Sequence, residues 1–565
     1  MCYHGLVMEK IIRFKNFIIA HPEFFTVLGL SFIFYFVFFH NIGTYALMDV
    51  DESRYVSMAR DMFNSKDYLT LYLNNEYFFE KPPLYFWSEC LSFKIFGEVN
   101  EFTARFPVAL YGMACCFLVY VIGRKIVSRA YGVIASLILA TSLEFLILAK
   151  FAILDIVVST CVSFSICLGI IIYYCRESHK KYYWWLFYAF SGLAVMAKGI
   201  PGFIIPFGSM FMISLISGQL KDCFKPINMI PGILVFSLIV LPWHIVMFKI
   251  HNPAFWDEYI IKHHLARFMG ADLFLFRQRP FYYYIVTILW GFFPWIISSL
   301  IVWGSYIHRL FKQKLFKLKF SDLNNTQKLI LFNTVVTLFI MIFFSSSGTK
   351  LITYILPIYV PLAFLTGYIW WNFLNNGAYI KFITASNYII GSILLIATIA
   401  GILTPLYLPE QLLIDISSVK TFCILLIFSS GLALILFTKK KLYIASFATL
   451  ILLMTILSAF ATEKFFEIDY KFGQDDLMEF AKYAKDKDIT LSTFSFGHKY
   501  SLVYYGEKPV SYNIEVEPYQ LYEILKKDKN LVIIKLRDIN NYKDTDFDII
   551  KRGRKYALID EVNHD

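Results

Sequence analysis

The sequence predicts a polytopic α-helical membrane protein with a small external α/β domain at its C-terminal end, and three observations predict it. Apolar runs of about 18 residues or more recur as far as Ala461, each long enough to cross a hydrocarbon core about 30 Å thick as a helix. Composition agrees, since 58% of residues are hydrophobic, 19% aromatic and 17% charged, which is not the balance of a soluble chain. Beyond Ala461 the long runs stop and short mixed segments rich in acids take over.

Taken in order, the apolar runs give about thirteen spans, near 24–40, 107–122, 130–149, 153–174, 182–197, 200–217, 227–248, 281–303, 328–345, 350–371, 383–403, 420–437 and 442–461. The first has no small-residue cleavage site and reads as an uncleaved anchor. The loops orient the bundle. Lys10, Arg13 and Lys15 precede the first span; Arg124, Lys125 and Arg129 follow the second; Arg176, Lys180 and Lys181 the fourth; Lys221 and Lys225 the sixth. Arg309, Lys312, Lys314, Lys317 and Lys319 follow the eighth, Lys381 the tenth, and Lys439, Lys440 and Lys441 the twelfth. All fall on one side, which the positive-inside rule makes the cytoplasm. The N-terminus is then cytoplasmic, and loops 41–106 and 249–280 and the tail are external. Two domains follow: a transmembrane domain over 1–461 and an external domain over 462–565.

Charge placement excludes nucleic acid as a partner. The net charge is +11, but the tail from Ala461 carries 17 Lys+Arg against 20 Asp+Glu, so the excess lies in the membrane part and alternates with the loops. None of the nine cysteines falls in the tail, so neither a disulfide framework nor a C-x-x-C metal site is indicated there.

Loop 41–106 reverses the trend, with 10 acids against 6 bases. Asp51 can cap a helix whose apolar side is Tyr55, Met58, Ala59 and Met62, and Pro82 and Pro83 suit the first turn of a second helix with Leu84, Trp87, Leu91 and Ile95 on one face. Both are expected to lie on the membrane surface. In the tail, a helix over Gln474–Lys487 and β-prone runs at Thr490–Phe496, Ser501–Tyr505 and Leu531–Leu536 predict a mixed α/β domain.

No soluble-enzyme motif is present. Polar residues gather instead at the external mouths of the spans: the opening loop, Lys150 and Asp155, Lys198, the group Asp257, Glu258, His263, His264 and Arg267, and Lys350 with Tyr354. Each has a plainer explanation: Asp51 as a helix cap, Lys81 and Lys198 as snorkelling residues, the histidines as interfacial hydrogen-bonders. Asp155 resists one, because an acid inside an apolar span is costly unless paired or functional, and Lys150 is its expected partner. An outward-facing site of acids and cations at headgroup depth suits transfer from a lipid phosphate. Lys and Arg would neutralise the phosphate as leaving group. Asp51 would either take a proton from an acceptor hydroxyl or orient the sugar. Glu80 and His264 are ligand types for a divalent metal.

The segments Asp51-Glu52-Ser53-Arg54-Tyr55, Phe79-Glu80-Lys81-Pro82-Pro83-Leu84, Arg105-Phe106-Pro107, Ala197-Lys198-Gly199, His264-Leu265-Ala266-Arg267-Phe268, Gly291-Phe292-Phe293-Pro294-Trp295 and Thr353-Tyr354-Ile355-Leu356-Pro357 closely resemble, in order and spacing over about 45–370, the aminoarabinose lipid A transferase family. The sequence is similar, more distantly, to the protein O-mannosyltransferases. The resemblance implies the GT-C glycosyltransferase fold in a bacterial inner membrane, with thirteen helices and a periplasmic C-terminal domain. It also implies an undecaprenyl-phosphate sugar donor, such as one carrying 4-amino-4-deoxy-L-arabinose, lipid A as acceptor, and a monomer among membrane lipids.

Carried over position by position, the resemblance makes Asp51, Asp155 and Arg54 catalytic, and Lys81, Lys198, Arg267, Lys350, Tyr55 and Tyr354 donor-phosphate contacts. Glu80 and His264 match positions associated with a bound Zn2+. The chain departs from the family pattern at Phe78, where relatives carry Tyr, at Lys150, where they carry Arg, and at Ser347-Gly348-Thr349. A protein O-glycosyltransferase is the alternative reading. A transporter is a further one, which the absence of internal repeats and the one-sided polar residues disfavour.

Overall fold

The computed structural model describes residues 20–174, 177–269, 278–301, 303, 320–403, 410–461, 464, 474–527, 529–539, 541–542 and 547–561. The predicted basic clusters at Lys10–Lys15 and Arg309–Lys319, and Arg176, lie outside the described residues.

Among the described residues eight helices are long and apolar enough to cross a membrane: Pro22–Phe39, Glu101–Ile126, Pro226–His251, Asn325–Ser346, Ile352–Asn376, Ile380–Leu403, Lys420–Lys439 and Tyr443–Phe460. Three shorter apolar helices, Arg129–Ala140, Asp155–Ile171 and Ile200–Ile216, pack among them. Helix Glu177–Lys198 covers the fifth predicted span and ends on Lys198. Ile352–Asn376 is central, burying Tyr359, Phe364 and Trp370. Pro226–His251 is peripheral and turns Ile230, Leu234, Leu238 and Leu241 outward, which an aqueous protein would not tolerate as one contiguous stripe and lipid requires.

Several boundaries differ from the sequence reading. The second span starts at Glu101, because Asn100 accepts the Thr103 N–H at 2.9 Å and Thr103 Oγ1 accepts the Asn100 N–H in return, which puts Arg105 and Pro107 inside the helix. The eighth span is broken: helix Tyr283–Gly291 stops before Phe293-Pro294, and the freed Phe293 carbonyl accepts from the Leu143 N–H at 3.2 Å. Asp155 is the first residue of its helix and not inside the span, so its charge faces the positive end of the helix dipole.

In the first long loop the two expected helices are present as Asp51–Ser65 and Leu84–Phe96, with a short hairpin, β1 (Tyr72–Leu73) and β2 (Glu76–Tyr77), between them. Tyr55, Met58, Ala59 and Met62 form the buried face, as the spacing predicts. Asp51 is not the cap, however; Val50 holds that position and the Asp51 carboxylate accepts from Arg54 instead. In the second helix the buried face is Tyr85, Phe86, Glu89, Cys90 and Phe93, while Leu91 and Ile95 stay 57% and 65% exposed on the outer surface.

The tail is a helix, Asp475–Asp486, packed on a five-stranded mixed sheet, with β3 (Thr490–Phe494), β4 (Val510–Asn513), β5 (Asn530–Lys535), β6 (Asp548–Arg552) and β7 (Tyr556–Asp560) in the order β4-β3-β5-β7-β6. β3 is parallel to β4 and β5, and β7 antiparallel to β5 and β6. Ser501–Tyr505, expected to be a strand, lies in the helix Tyr500–Gly506. A short apolar run carries no decisive period, and here burial of Leu502 and Val503 against the tail helix favours the compact form.

Candidate functional site

A cavity of ≈ 240 Å³ opens between the first loop, the ends of helices Asp155–Ile171 and Glu177–Lys198, and the second long loop. Its polar wall holds Glu80, Lys81, Lys198, His264 and Arg267, with Tyr354 at one side, and its apolar wall Val158, Val162, Ile204, Ile205, Phe343 and Phe344.

Local structure delivers each of these groups. Lys198 ends its helix at Gly199, which has φ +80° and lies so close to His264 that any Cβ there would meet Nε2 of the imidazole. Only glycine can turn the chain there. Lys198 forms an ion pair with Asp155 and lies 4.4 Å from the centroid of the Tyr354 ring, and the Arg267 guanidinium approaches the same ring at 5.8 Å. Lys150, the expected partner of Asp155, instead donates to the carbonyls of Ser458, at 2.5 Å, and His40, at 3.2 Å.

At the edge of the cavity Arg54 donates to Asp51 at 2.6 Å and to the Tyr55 hydroxyl at 3.2 Å, and stands 5.9 Å over Phe78. Burial works against its charge, but Tyr55, Asp51 and Glu80 raise its pKa, so it is a fixed cation. Tyr55 lies within the fields of Arg54, Asp51, Asp155 and Glu80, where burial above all raises its phenol. The Asp51 side chain is 61% exposed and free of the cavity wall, able to meet a second substrate from outside.

Glu80 is held below the ordinary carboxylate range despite its burial by Lys81, His263, Arg54 and Arg267, and is ionised. Burial, joined by the charges of Arg267, Lys198 and Arg54, pulls the Lys81 ammonium down to about 7 although Glu80 supports it. The cations Lys81, Lys198, Arg54 and Arg267 outnumber the acids Glu80, Asp155 and Asp51 by one, and an entering phosphodiester, a monoanion, would balance the site.

The metal expectation rests on Glu80 and His264, which both line the cavity. His263, not His264, lies beside Glu80, at 3.6 Å, with Glu258 on its other side at 3.5 Å. His264 turns Nδ1 to the Tyr259 carbonyl at 2.5 Å. Burial lowers both imidazoles to about 4, which keeps them neutral, the form that ligates a metal, while Lys81 and Arg267 crowd Glu80 with positive charge. Among the described residues no group of three His, Cys, Asp or Glu side chains is placed to hold a metal ion.

Lys350 also differs from expectation. Its ammonium donates to the carbonyls of Ser347, at 2.6 Å, and Arg279, at 3.0 Å, and it does not line the cavity. It fastens the segment 347–350 to the second long loop, together with Thr349 Oγ1 donating to the Arg267 carbonyl at 3.1 Å.

Sequence reading missed the pair that holds the site in shape. Glu52 and Arg105, both fully buried, form a two-pronged bridge, Nε to Oε1 at 2.7 Å and Nη2 to Oε2 at 2.8 Å. Arg105 spends its other donors on the carbonyls of Ile42, Tyr45 and Ala46, and Glu52 accepts from the N–H groups of Met48 and Ala152. The signal was an arginine in an apolar span.

The model of the family described as dolichyl-phosphate-mannose-protein mannosyltransferase matches residues 23–259. The chain is 30% identical over 366 residues to an uncharacterized protein of Aquifex aeolicus, covering 64% of this chain and 67% of the relative. It is 25% identical over 389 residues to the undecaprenyl phosphate-alpha-4-amino-4-deoxy-L-arabinose arabinosyl transferase of Pectobacterium carotovorum, covering 66% of each. A namesake from Proteus mirabilis is 27% identical, with 58% of its length covered, so the matches span about two thirds of these relatives or less. The crystal structure of ArnT from Cupriavidus metallidurans bound to undecaprenyl phosphate superposes with a TM-score of 0.75 over 96% of this chain and 98% of that one, at 17% identity. The apo form gives 0.74. The fold is shared over nearly the whole length.

Proposed function

We propose that the chain is a membrane glycosyltransferase related to the aminoarabinose transferases and the protein mannosyltransferases, and that it moves a sugar from undecaprenyl phosphate to lipid A on the periplasmic side of the inner membrane. The observation that carries the proposal is the meeting of Lys81, Lys198 and Arg267 on one wall of a cavity whose other wall is apolar. A polyprenyl phosphate needs both: cations for its head and hydrocarbon for its tail.

In this reading the isoprenoid lies against Val158, Ile204, Ile205 and Phe343, and the phosphate sits between Lys81 and Arg267. These cations stabilise the charge that develops on phosphate as the bond to the sugar's anomeric carbon breaks. Lys198, neutralised by Asp155, orients the phosphate through Tyr354. Asp51 faces the sugar. With a lipid A phosphate as acceptor the attacking oxygen is already ionised, and Asp51 holds the donor, for example by an amino group. With a hydroxyl acceptor it removes the proton. No step is assigned to a metal. The N-terminus is cytoplasmic and the C-terminal domain periplasmic in this scheme, as the alternation of basic loops requires.

Mass spectrometry of lipid A from cells with and without the gene tests the proposal. A mass difference of one sugar identifies the class transferred, and unchanged lipid A alongside lost glycosylation of a protein would replace the acceptor.

A further inference from the structure

Among the tail domain's contacts with the first external loop is a short helix, Tyr500–Gly506, held at both ends. At its start the Asp49 carboxylate accepts from the Ser501 N–H at 2.8 Å and from Ser501 Oγ at 2.6 Å. At its end Arg60 Nη1 donates to the carbonyls of Tyr504, at 2.7 Å, and Val503, at 3.3 Å. An acid at the start and a base at the end satisfy the groups a helix leaves open and match its dipole.

The tail also grips the chain leading into Asp51. Gln474 donates from Nε2 to the Leu47 carbonyl at 2.5 Å and accepts from the Asp49 N–H at 2.9 Å. The Tyr505 hydroxyl accepts from the Leu47 N–H at 2.9 Å and donates to Glu101 at 2.9 Å. Asp49 in turn accepts from Ser53 Oγ at 2.7 Å, so one carboxylate touches both the tail and the first turn of the helix that begins with Asp51. Tyr500, next to Ser501, is close enough to Arg54, Glu80 and Asp49 to feel their charges.

We propose that the C-terminal domain is a working part of the transfer site, in which Asp49, clasped by Ser501 and Gln474, is a positioning residue that fixes the attitude of Asp51 toward the donor. This rests on the proposed function and adds to it a role for the tail. A second tail contact supplies the control. Asn74 exchanges two hydrogen bonds with Val510, at 2.8 and 2.7 Å, in the hairpin and away from Asp51. If the tail needed only to be attached, losing Asn74 and losing Asp49 would have similar effects.

The experiment compares Asp49→Asn, Ser501→Ala and Asn74→Ala by kcat, donor KM and melting temperature. Asp49→Asn is expected to lower kcat by roughly 10²-fold with donor KM within about twofold, the pattern of a misplaced catalytic group. Ser501→Ala shifts kcat in the same direction, adding nothing further in the double variant because both act through one contact. Asn74→Ala keeps kcat. An unchanged kcat in Asp49→Asn, or an equal loss in Asn74→Ala, overturns the proposal. Hydrogen exchange over residues 47–55 reads the clasp without turnover: it accelerates in Ser501→Ala, and unchanged exchange overturns the proposal as well. A wild-type protein that transfers no sugar would instead sink the proposed function, and the exchange result would still stand.

Discussion

Asp51 and Glu52 are neighbours in the chain and opposites in the molecule. The Asp51 side chain is 61% exposed and shares its charge with Arg54 at the edge of the cavity. Glu52 has no exposure and every contact satisfied, bridged to Arg105 and bonded to two backbone N–H groups. One residue's difference on a helix turns the side chain by about 100°, enough to send one acid to the reaction and the other to the foundations. A dense cluster of charge is therefore two structures superposed: a buried frame that tolerates no change and an exposed set free to do chemistry.

Four substitutions or conditions break or sharpen that contrast, from the largest expected effect downward. Asp51→Asn should lower kcat by roughly 10²-fold or more, the worth of a group that holds the reacting sugar in place or removes its acceptor's proton, while melting temperature stays at the wild-type value; a stability loss instead would move Asp51 to the frame. Arg105→Ala should do the reverse, costing about 3–5 kcal/mol of stability by leaving the buried Glu52 carboxylate without its counter-charge, read by thermal unfolding in detergent. Normal melting of Arg105→Ala would remove the pair from the frame.

The third concerns Lys81. Its folded pKa of about 7 lies below the ordinary lysine value, so the empty site loses this cation as pH rises through 7. Donor KM should therefore increase from pH 6 to pH 8.5, by about tenfold per unit once the group is neutral, and Lys81→Arg should flatten the curve. A flat wild-type profile would show that Lys81 does not meet the phosphate. The smallest effect is expected of Phe78→Tyr, which adds a hydroxyl beside Arg54. A hydrogen bond there is worth about 0.5–1.5 kcal/mol, so KM should change by less than about tenfold.

Much of this was legible beforehand for physical reasons. Hydrophobic run length marks helices that must meet lipid, period marks the buried face of Asp51–Ser65, and linked motifs marked Lys81, Lys198 and Arg267, which the structure gathers on one cavity. Pairings were less legible. Lys150 was expected beside Asp155 and is instead capped by carbonyls, Lys350 fastens a loop, and His263 stands where His264 was expected. Each of these depends on where a flexible side chain ends up within a few ångströms, and spacing along the chain does not encode that. The same holds for Ser501–Tyr505, whose strand-like composition yields to its burial and to Asp49 at its start.

The sequence by itself determined that the chain crosses a membrane and which residue types are available to meet a phosphate. Those properties follow from local hydrophobicity and charge, which act whatever the final packing. Tertiary structure alone decided that Glu52 and Arg105 are frame while Asp51 reaches the surface, and that the tail holds the loop in front of Asp51. These depend on contacts across 53 to 452 residues of chain, and only the folded packing brings such distant groups within hydrogen-bond reach.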